Sequence, residues 1–431
     1  MRYSVLSIPH PQYNDQRLPL LIDKNNFSIP EPSSALWIWD LWLSGKFNTV
    51  EARARDLCVF YEFVSTEYSD FFSDAARLKT LSSRQVNQLT SFLLLNFNHN
   101  IEDHILIAPS TFNRRLDSIR SFLRFHYSRY IARVENIEMA DIHQKRVDKL
   151  DALLKKKKYS TCDVENQTRQ IPPLSPAEIE IIKLVIRPSS DDLKNEVNPF
   201  RTSLQIRNAC LILLLIELGC RASELVLLRN NDLDLKLTHN ATVVIQQSAA
   251  GNNLKRHRRD GASHKTRNRE LPISPGLRDL IVEYIEDHRP KLRKPYRGQL
   301  TGYLFVSEHD GGAMTTSGLE YVVETIFNKT KGLADVITPH RFRVARMNEL
   351  RESVDNKYAN SNSPMIKAGD MQDTLTTWGG WTSTSSMPKR YTNAHLMRKI
   401  NEYLAEKDTK KGPVDGACKH SLSSKSERRL L

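Results

Sequence analysis

Four separated segments in the second half of the chain contain residue types that could act together on a phosphate group. Arg221 and Arg343 stay protonated at any relevant pH, and a guanidinium binds phosphate oxygens in a bidentate manner. A tyrosine such as Tyr391 has an ordinary pKa of about 10, so it needs nearby positive charge and a base to act as a nucleophile. The segments are Gly219-Cys220-Arg221-Ala222-Ser223-Glu224-Leu225, His264-Lys265-Thr266, Thr338-Pro339-His340-Arg341-Phe342-Arg343, and Gly379-Gly380-Trp381-Thr382-Ser383 with Arg390-Tyr391-Thr392.

In this order, the four segments resemble those of the tyrosine recombinase and phage integrase family of site-specific DNA recombinases. Each segment alone is a common pattern, but all four fall within one domain of suitable size. The similarity spans roughly residues 31 to 405. The catalytic residues that it implies are Tyr391, Arg221, Arg343, His340, Lys265 and Trp381, and Glu224 is expected to support them from behind.

The resemblance implies a covalent bond between Tyr391 and a 3′-phosphate of DNA. Arg221 and Arg343 would neutralise the transition state, with His340 as base and Trp381 as a further hydrogen-bond donor. Lys265, in a hairpin turn, would be the general acid that protonates the leaving 5′-oxygen. The phosphotyrosine retains the energy of the broken bond, so we expect no metal, no ATP and no other cofactor.

The sequence also departs from the family pattern. The spacing from Trp381 to Tyr391 is one residue longer than the commonest family spacing, and the segment between Arg343 and Gly379 is longer than usual. Val344 stands where many relatives have a second histidine. The role of residues 344–378 is therefore not predicted by the resemblance.

Composition favours a polyanionic partner. The chain has 431 residues with 63 Lys and Arg against 50 Asp and Glu, a formal net charge of +13. Nucleic acid is the first candidate partner and an anionic membrane surface the second, while a merely solvated surface is the alternative.

The N-terminus lacks the apolar core of a signal peptide, and no apolar run is long enough to span a membrane, so we expect a cytoplasmic, nucleoid-associated protein. The scattered cysteines predict reduced thiols and no metal site; they are Cys58, Cys162, Cys210, Cys220 and Cys418.

Apolar periodicity predicts a helical first domain. Helices are expected from Ser33 or Ser34 to Gly45, from a capping box of Asn48 and Glu51, over 84–97, and from Ser110 to about Tyr130. The predicted organisation is an N-terminal arm over 1–30, a helical core-binding domain over 31–135, a basic linker over 136–173, a catalytic domain over 174–407 and a disordered basic tail over 408–431.

Basic residues of this first part are candidate contacts to the DNA backbone. A solvated surface is the equally simple alternative for the helix arginines, and a charge run is usually only solvated. The candidates are Arg114, Arg115, Arg120, Lys155, Lys156, Lys157 and Lys158.

The second domain opens with a capping box of Ser175 and Glu178 around Pro176, and a buried helix over 204–218 ends at Gly219. Strands are expected over 241–246 and 269–273, and a helix after Ser274. The predicted fold class is therefore mainly α with a small antiparallel β-sheet in the catalytic domain, arranged as a two-domain DNA clamp with a helical core-binding domain and an integrase-type catalytic domain.

The amphipathic segment after Tyr391, residues 393–406, could pack on its own domain. The resemblance implies instead that it docks on a neighbouring protomer, giving a homotetramer on double-stranded DNA with inverted half-sites. Two rival functions remain: a type IB topoisomerase-like enzyme that uses the same residues, and a catalytically silent DNA-binding regulator.

Overall fold

The computed structural model describes residues 1–13, 16–97, 105–160, 172–190, 192–236, 240–246, 260–292, 302–359 and 363–410, without the side chains of residues 16 and 405–410. Its buried apolar residues form one large core within residues 3–154 and another within residues 174–345. We call the two parts the N-terminal unit (residues 1–160) and the C-terminal unit (residues 172–410). Both are mainly helical and each carries a three-stranded antiparallel sheet, so the predicted fold class is confirmed and the N-terminal sheet is an addition to it.

The N-terminal unit has six helices among its described residues. Prolines occupy the first turn of the helices Pro32–Ser44 and Pro109–Ile131, where the missing N–H costs nothing. A capping box of Ser82 and Gln85 opens the helix Ser83–Leu93. The helices are α1 Pro32–Ser44, α2 Phe47–Glu67, α3 Phe71–Ala76, α4 Ser83–Leu93, α5 Pro109–Ile131 and α6 Ile137–Lys155.

The predicted capping box of Asn48 and Glu51 is wrong. Helix α2 begins at Phe47 with Lys46 as its N-cap, which makes no side-chain cap bond. The amide of Asn48 instead donates to the carbonyl oxygen of Gly261, in the C-terminal unit. A tertiary contact has therefore replaced the local one.

The first 30 residues are not a free extended arm. Strands β1 (Tyr3–His10) and β2 (Gln16–Asp23) form an antiparallel hairpin, and β3 (Ile29–Pro30) pairs with the end of β2. The hairpin packs on α1 and α2, and it buries Tyr3, Leu18 and Leu21 in the core. Burial of these apolar side chains holds the segment on the N-terminal unit.

The predicted linker over 136–173 is also corrected, because its first part is helix α6. The side chain of Asn136 caps this helix by accepting from the amide of Met139. Val147, Leu150 and Leu154 follow at helical spacing and are buried in the core of the N-terminal unit. Of the remaining linker, residues 161–171 lie outside the described residues.

The C-terminal unit follows its predicted opening. Ser175 and Glu178 form the expected capping box around Pro176, and the helix Thr202–Leu218 is followed by its C-cap Gly219, which has a left-handed φ of +57°. A π-helical turn, Tyr284–His288, joins the helix Pro275–Glu283 to the helix Arg289–Leu292. The helices are α7 Pro176–Ile186, α8 Thr202–Leu218, α9 Ala222–Val226, α10 Pro275–Glu283, α11 Arg289–Leu292, α12 Thr316–Lys329, α13 Pro339–Lys357, α14 Pro364–Gly379, α15 Met387–Tyr391 and α16 Asn393–Lys410.

The sheet of the C-terminal unit has the strand order β4 (Leu233–Asp234), β5 (Thr242–Ile245), β6 (Arg269–Pro272). Both predicted strands are present, and part of the connection between β5 and β6, residues 247–259, lies outside the described residues. Helix α16 runs to Lys410, three residues into the predicted tail; residues 411–431 also lie outside the described part.

Cys58, Cys210 and Cys220 are free thiols, and all three are buried, while Cys162 and Cys418 fall outside the described residues. Burial raises the pKa of the Cys220 thiol to about 12. Among the described helices, none is both long enough and apolar enough to cross a bilayer.

Candidate active site

Arg221 lies at a sharp junction between two helices. Helix α8 ends at Leu218, Gly219 takes the left-handed conformation, and Arg221 is the N-cap of α9. A Cβ at position 219 would lie 2.8 Å from Cβ of Arg346, so the junction also needs the absence of a side chain there. The guanidinium of Arg221 is about one quarter exposed and donates to Oε1 of Glu224 over 3.1 Å.

Glu224 is the buried carboxylate that organises this part of the site. It accepts from Nη2 of Arg269 (2.7 Å), from the hydroxyl of Thr266 (2.8 Å) and from the backbone amide of Arg221 (3.1 Å). Burial alone would raise the pKa of Glu224, but Arg269 and Arg343 outweigh it and lower the pKa to about 2. Glu224 is therefore ionised, and it links the Arg221 junction to the strand and turn that follow Lys265.

Arg343 is fully buried at the centre of the site. Its Nη1 donates to the carbonyl oxygen of Gly219 and its Nη2 to that of Gly379, each over 2.8 Å. Its guanidinium carbon lies 4.9 Å from the ring centre of Trp381 and 5.2 Å from that of Tyr391. Burial and the charge of Arg221 lower the pKa of Arg343.

Tyr391 is the last residue of α15 and is nearly buried. Its ring centre lies 5.1 Å from that of Trp381 and 5.3 Å from that of His340. Its carbonyl oxygen accepts from the side-chain amide of Asn348, a residue of α13, over 2.9 Å. Tyr391, His340, Arg343 and Trp381 are thus brought together as one cluster.

His340 and Arg343 share the first turn of α13, where a separation of three residues places both on one face. His340 is exposed to solvent. Partial desolvation and the charges of Arg343, Arg221 and Arg390 lower the pKa of its imidazole. The ring is therefore neutral at pH 7 and able to accept a proton.

Trp381 follows a tight glycine turn. Gly380 has φ +66°, and a Cβ on Gly379 would lie 2.4 Å from the Trp381 ring. The indole Nε1 is buried and has no hydrogen-bond partner among the described residues. A buried donor without a partner is costly, so this N–H remains able to donate to an acceptor.

Lys265 is exposed in the turn before β6. A cavity of about 500 Å³ lies beside it, lined by Lys46, His264, Lys265, Thr266, Arg267, Asn268, Gly380, Trp381, Thr382 and Ser385. The amide of Arg267 donates to the carbonyl oxygen of Gly380 over 3.0 Å, which ties this turn to the Trp381 segment. The cavity therefore joins Lys265 to Trp381, while Tyr391, His340 and Arg221 are not part of its lining.

The sequence motifs do not identify three residues that support the site. Arg269 is predicted only as part of a strand, yet it is buried against Glu224, and the one local sign of this is an arginine at an inward position of a short strand. Asn348 and Arg351 lie on α13; the amide Oδ1 of Asn348 accepts from the backbone of His395, and Arg351 donates to the hydroxyl of Thr392. Nothing local in the sequence marks these long-range contacts.

The buried carboxylate of Asp355 on α13 anchors the start of α16. It binds Nε2 of His395 over 2.7 Å and the ammonium groups of Lys367 and Lys399 over 2.9 Å each. Burial opposes ionisation, but these partners lower the pKa of Asp355. Part of the long segment after Arg343 therefore fastens the helix that follows the tyrosine.

The candidate DNA contacts of the N-terminal unit differ in environment. Arg120 makes a bidentate pair with Asp151, and Arg115 donates to the carbonyl oxygens of Leu93 and Leu95. Arg114 pairs with the buried Asp56 but is half exposed, Lys158 pairs with Asp117, and Lys155, Lys156 and Lys157 are exposed at the C-terminal end of α6. Their contact with DNA stays a prediction, and Arg115 and Arg120 also have a role within the fold.

The chain is similar to known proteins over much of its length. Residues 190–397 match the family model described as the phage integrase family. The chain is 24% identical over 307 residues to tyrosine recombinase XerD of Listeria innocua serovar 6a, covering 71% of this chain and 80% of that protein. It is 24% identical over 358 residues to tyrosine recombinase XerC of Staphylococcus aureus, covering 82% and 93%.

Solved structures of low identity are also similar. The XerH site-specific recombinase in a post-cleavage complex with palindromic difH substrate is 16% identical, with a TM-score of 0.49 and coverage of 87% of this chain and 85% of that one. The Tn1549 transposon integrase in complex with circular intermediate DNA is 15% identical, with a TM-score of 0.47 and coverage of 85% and 98%.

The matched domain and its curated relatives define the class as enzymes that cleave and rejoin DNA. Within that class, residues 190–397 match the phage integrase family, and the chain is similar over most of its length to tyrosine recombinases.

Proposed function

We propose that this protein is a site-specific recombinase that cuts and rejoins double-stranded DNA through a 3′-phosphotyrosyl bond at Tyr391, without metal or other cofactor. The observation that carries the proposal is the contact of the Tyr391 ring with Trp381, His340 and the guanidinium of Arg343. These groups supply a base, a neutral donor and a fixed positive charge around one hydroxyl-bearing ring.

In the proposed cleavage step, the Tyr391 oxygen attacks phosphorus while its proton passes to His340. The bond from phosphorus to the 5′-oxygen breaks, and Lys265 donates a proton to that oxygen. Arg221 and Arg343 neutralise the charge that grows on the non-bridging oxygens. Rejoining is the reverse, with the 5′-hydroxyl of another strand as nucleophile and Tyr391 as leaving group.

Arg343 has donors left for the phosphate. Its Nη1 and Nη2 each use one N–H on a backbone carbonyl, so each retains a second N–H, and Nε is buried without a hydrogen-bond partner among the described residues. The rings of Tyr391 and Trp381 cover this guanidinium. We therefore propose that the Tyr391 ring turns towards the incoming phosphate and uncovers Arg343.

We further propose that the two units close around DNA as a clamp at the nucleoid, and that the target carries inverted half-sites bound by a homotetramer. Support for the tetramer comes from α16, whose apolar residues are exposed: Met397, Ile400, Tyr403 and Leu404. A second copy of the chain would cover this face.

The decisive experiment for the chemistry uses a target site nicked near the scissile phosphate, so that the short fragment with the new 5′-hydroxyl diffuses away. Wild-type protein should form a covalent adduct that survives denaturant, and Tyr391→Phe should bind the same DNA without forming one. The matched control is Tyr358→Phe, which removes a hydroxyl at the end of α13 and should leave the adduct intact. An adduct in Tyr391→Phe would reject this nucleophile, and no adduct in wild type would favour a silent DNA-binding protein.

The assembly is tested with Ile400→Glu, which places a charge on the exposed apolar face of α16. It should bind one duplex normally but fail to bring two duplexes into one complex, measured by sedimentation with labelled DNA. Asn401→Glu adds the same charge at the neighbouring exposed polar position and should assemble. Equal assembly of the two variants would exclude this face as the contact.

A further inference from the structure

The turn that carries Lys265 is held by both units of the protein. From the N-terminal unit, Nζ of Lys46 donates to the carbonyl oxygen of His264 over 3.0 Å, and the amide of Asn48 donates to that of Gly261 over 3.2 Å. Gly261 has φ +66°, and a Cβ there would lie 2.2 Å from Oδ1 of Asn48. The first turn of α2 is therefore in close contact with the turn over residues 261–264.

The rest of the turn is fixed to the C-terminal unit. The side chain of Asp260 accepts from the amide of Thr316 at the start of α12, and the hydroxyl of Thr266 donates to Glu224. Lys265 thus has one neighbour, Thr266, bound to the buried carboxylate and the other, His264, bound to Lys46. Its own side chain stays exposed beside the cavity.

Lys46 has two N–H donors besides the one directed at His264, and it lines the same cavity as Lys265. An ammonium on a backbone carbonyl fixes that peptide group, and through it the direction in which the next side chain leaves the backbone. Because proton transfer requires the acid within hydrogen-bond reach of the leaving oxygen, a small displacement of Lys265 has a large effect on rate.

We propose that Lys46 is a positioning residue for cleavage: through the carbonyl of His264 it holds Lys265 in place to protonate the leaving 5′-oxygen. The inference rests on the role proposed above for Lys265. It makes the N-terminal unit part of the cleavage step in addition to any part it has in binding DNA, since the acid is in place only when the two units are in contact.

The test compares two DNA substrates, one with the ordinary bridging 5′-oxygen and one with sulfur in its place. A thiolate leaves without a proton because the pKa of a thiol is only about 8.5, so sulfur removes the need for the acid. Lys46→Met retains the aliphatic stem and should cleave the oxygen substrate about tenfold to a hundredfold more slowly. On the sulfur substrate it should approach the wild-type rate.

Two further variants separate positioning from a general loss of structure. Lys46→Arg can also donate to the His264 carbonyl and should recover most of the rate on oxygen. The double variant Lys46→Met, Lys265→Ala should be no slower than Lys265→Ala alone, because the two residues act on one proton transfer.

The matched control is Lys156→Met, an exposed lysine of the same unit that is predicted to contact the DNA backbone. It should change binding and affect both substrates alike. If Lys46→Met behaves in that way, or cleaves the oxygen substrate normally, the positioning role is overturned while Lys265 keeps its assignment. If Lys265→Ala itself cleaves the oxygen substrate at the wild-type rate, the acid assignment fails and the inference fails with it.

Discussion

In the N-terminal unit Arg120 is matched by Asp151 and Arg114 by Asp56, whereas in the C-terminal unit Arg221, Arg269 and Arg343 surround the single carboxylate of Glu224. The first arrangement neutralises each guanidinium within the fold. The second leaves a local excess of positive charge beside Tyr391. An arginine's partners, more than its position in the sequence, therefore indicate whether its charge serves the fold or is available to an anionic ligand.

Substitution of Arg343 is expected to have the largest effect, because its charge is among those not matched by a carboxylate of its own. Arg343→Lys keeps a positive charge but cannot span two carbonyl oxygens and a phosphate, so we expect adduct formation to fall by about two to three orders of magnitude. Arg346→Lys, one turn from the same position on α13, keeps its stem and charge outside the cluster and should cleave near the wild-type rate. Thermal unfolding of both variants separates lost chemistry from lost folding. Normal cleavage by Arg343→Lys would remove this arginine from the chemistry.

The N-terminal unit also buries a titratable group without charge. His126 has no hydrogen-bond partner on either ring nitrogen among the described residues and packs between aromatic rings such as Phe71 and Phe122. Burial lowers the pKa of His126 to about 4. The folded unit therefore keeps this ring neutral over a range in which the unfolded chain binds a proton.

The sign of the pH effect follows directly. Between about pH 6.5 and pH 4 the unfolded state binds more protons, so stability falls as the pH falls. We expect the free energy of unfolding of the N-terminal unit to fall by about 2 kcal/mol between pH 7 and pH 5. Urea denaturation at the two pH values, monitored by a signal from that unit, measures this difference. His126→Phe should remove this part of the pH dependence, and an unchanged dependence in that variant would assign it to other groups.

The ion pair of Arg120 and Asp151 sharpens the contrast within the N-terminal unit. Arg120→Gln leaves the half-buried Asp151 without its bidentate partner, and should destabilise the unit by about 1–3 kcal/mol. The salt dependence of DNA binding by the folded protein should stay unchanged. A reduced salt slope would show that Arg120 also releases counterions from DNA.

The opposite outcome is expected for the exposed lysines at the end of α6. Replacing Lys155, Lys156 and Lys157 together by Gln should leave unfolding unchanged and reduce the slope of log K against log salt by about 2–3, if each neutralises one phosphate. Equal slopes in the triple variant and wild type would assign these lysines to solvent.

Local signals account for what the sequence predicted well. The capping box of Ser175 and Glu178, the glycine at position 219 and the order of the four motif segments each depend on neighbouring residues. The N-terminal hairpin was not predicted, because pairing such as Tyr3 with Asp23 and burial against α2 are not local properties. Asn48 shows where local prediction fails. Its spacing to Glu51 is that of a capping box, but its side chain donates a hydrogen bond to the carbonyl oxygen of Gly261, 213 positions away.

The site shows the same division. The sequence predicted six catalytic residues, and the structure places three of them, Arg343, Trp381 and His340, around the ring of Tyr391. It did not predict that Arg343 is held by two backbone carbonyl oxygens, nor that Glu224 takes Arg269 as a partner, because both depend on how distant turns approach one another.

Asn348 joins Tyr391 to the helix that follows it. Its side-chain Nδ2 donates to the carbonyl oxygen of Tyr391, and its Oδ1 accepts from the backbone amide of His395. One side chain therefore spans the short segment between α15 and α16. Because both hydrogen bonds belong to one side chain, a shift of α16 against α13 would strain the hydrogen bond that holds the backbone of Tyr391. The position of the tyrosine is therefore coupled mechanically to that of the helix behind it.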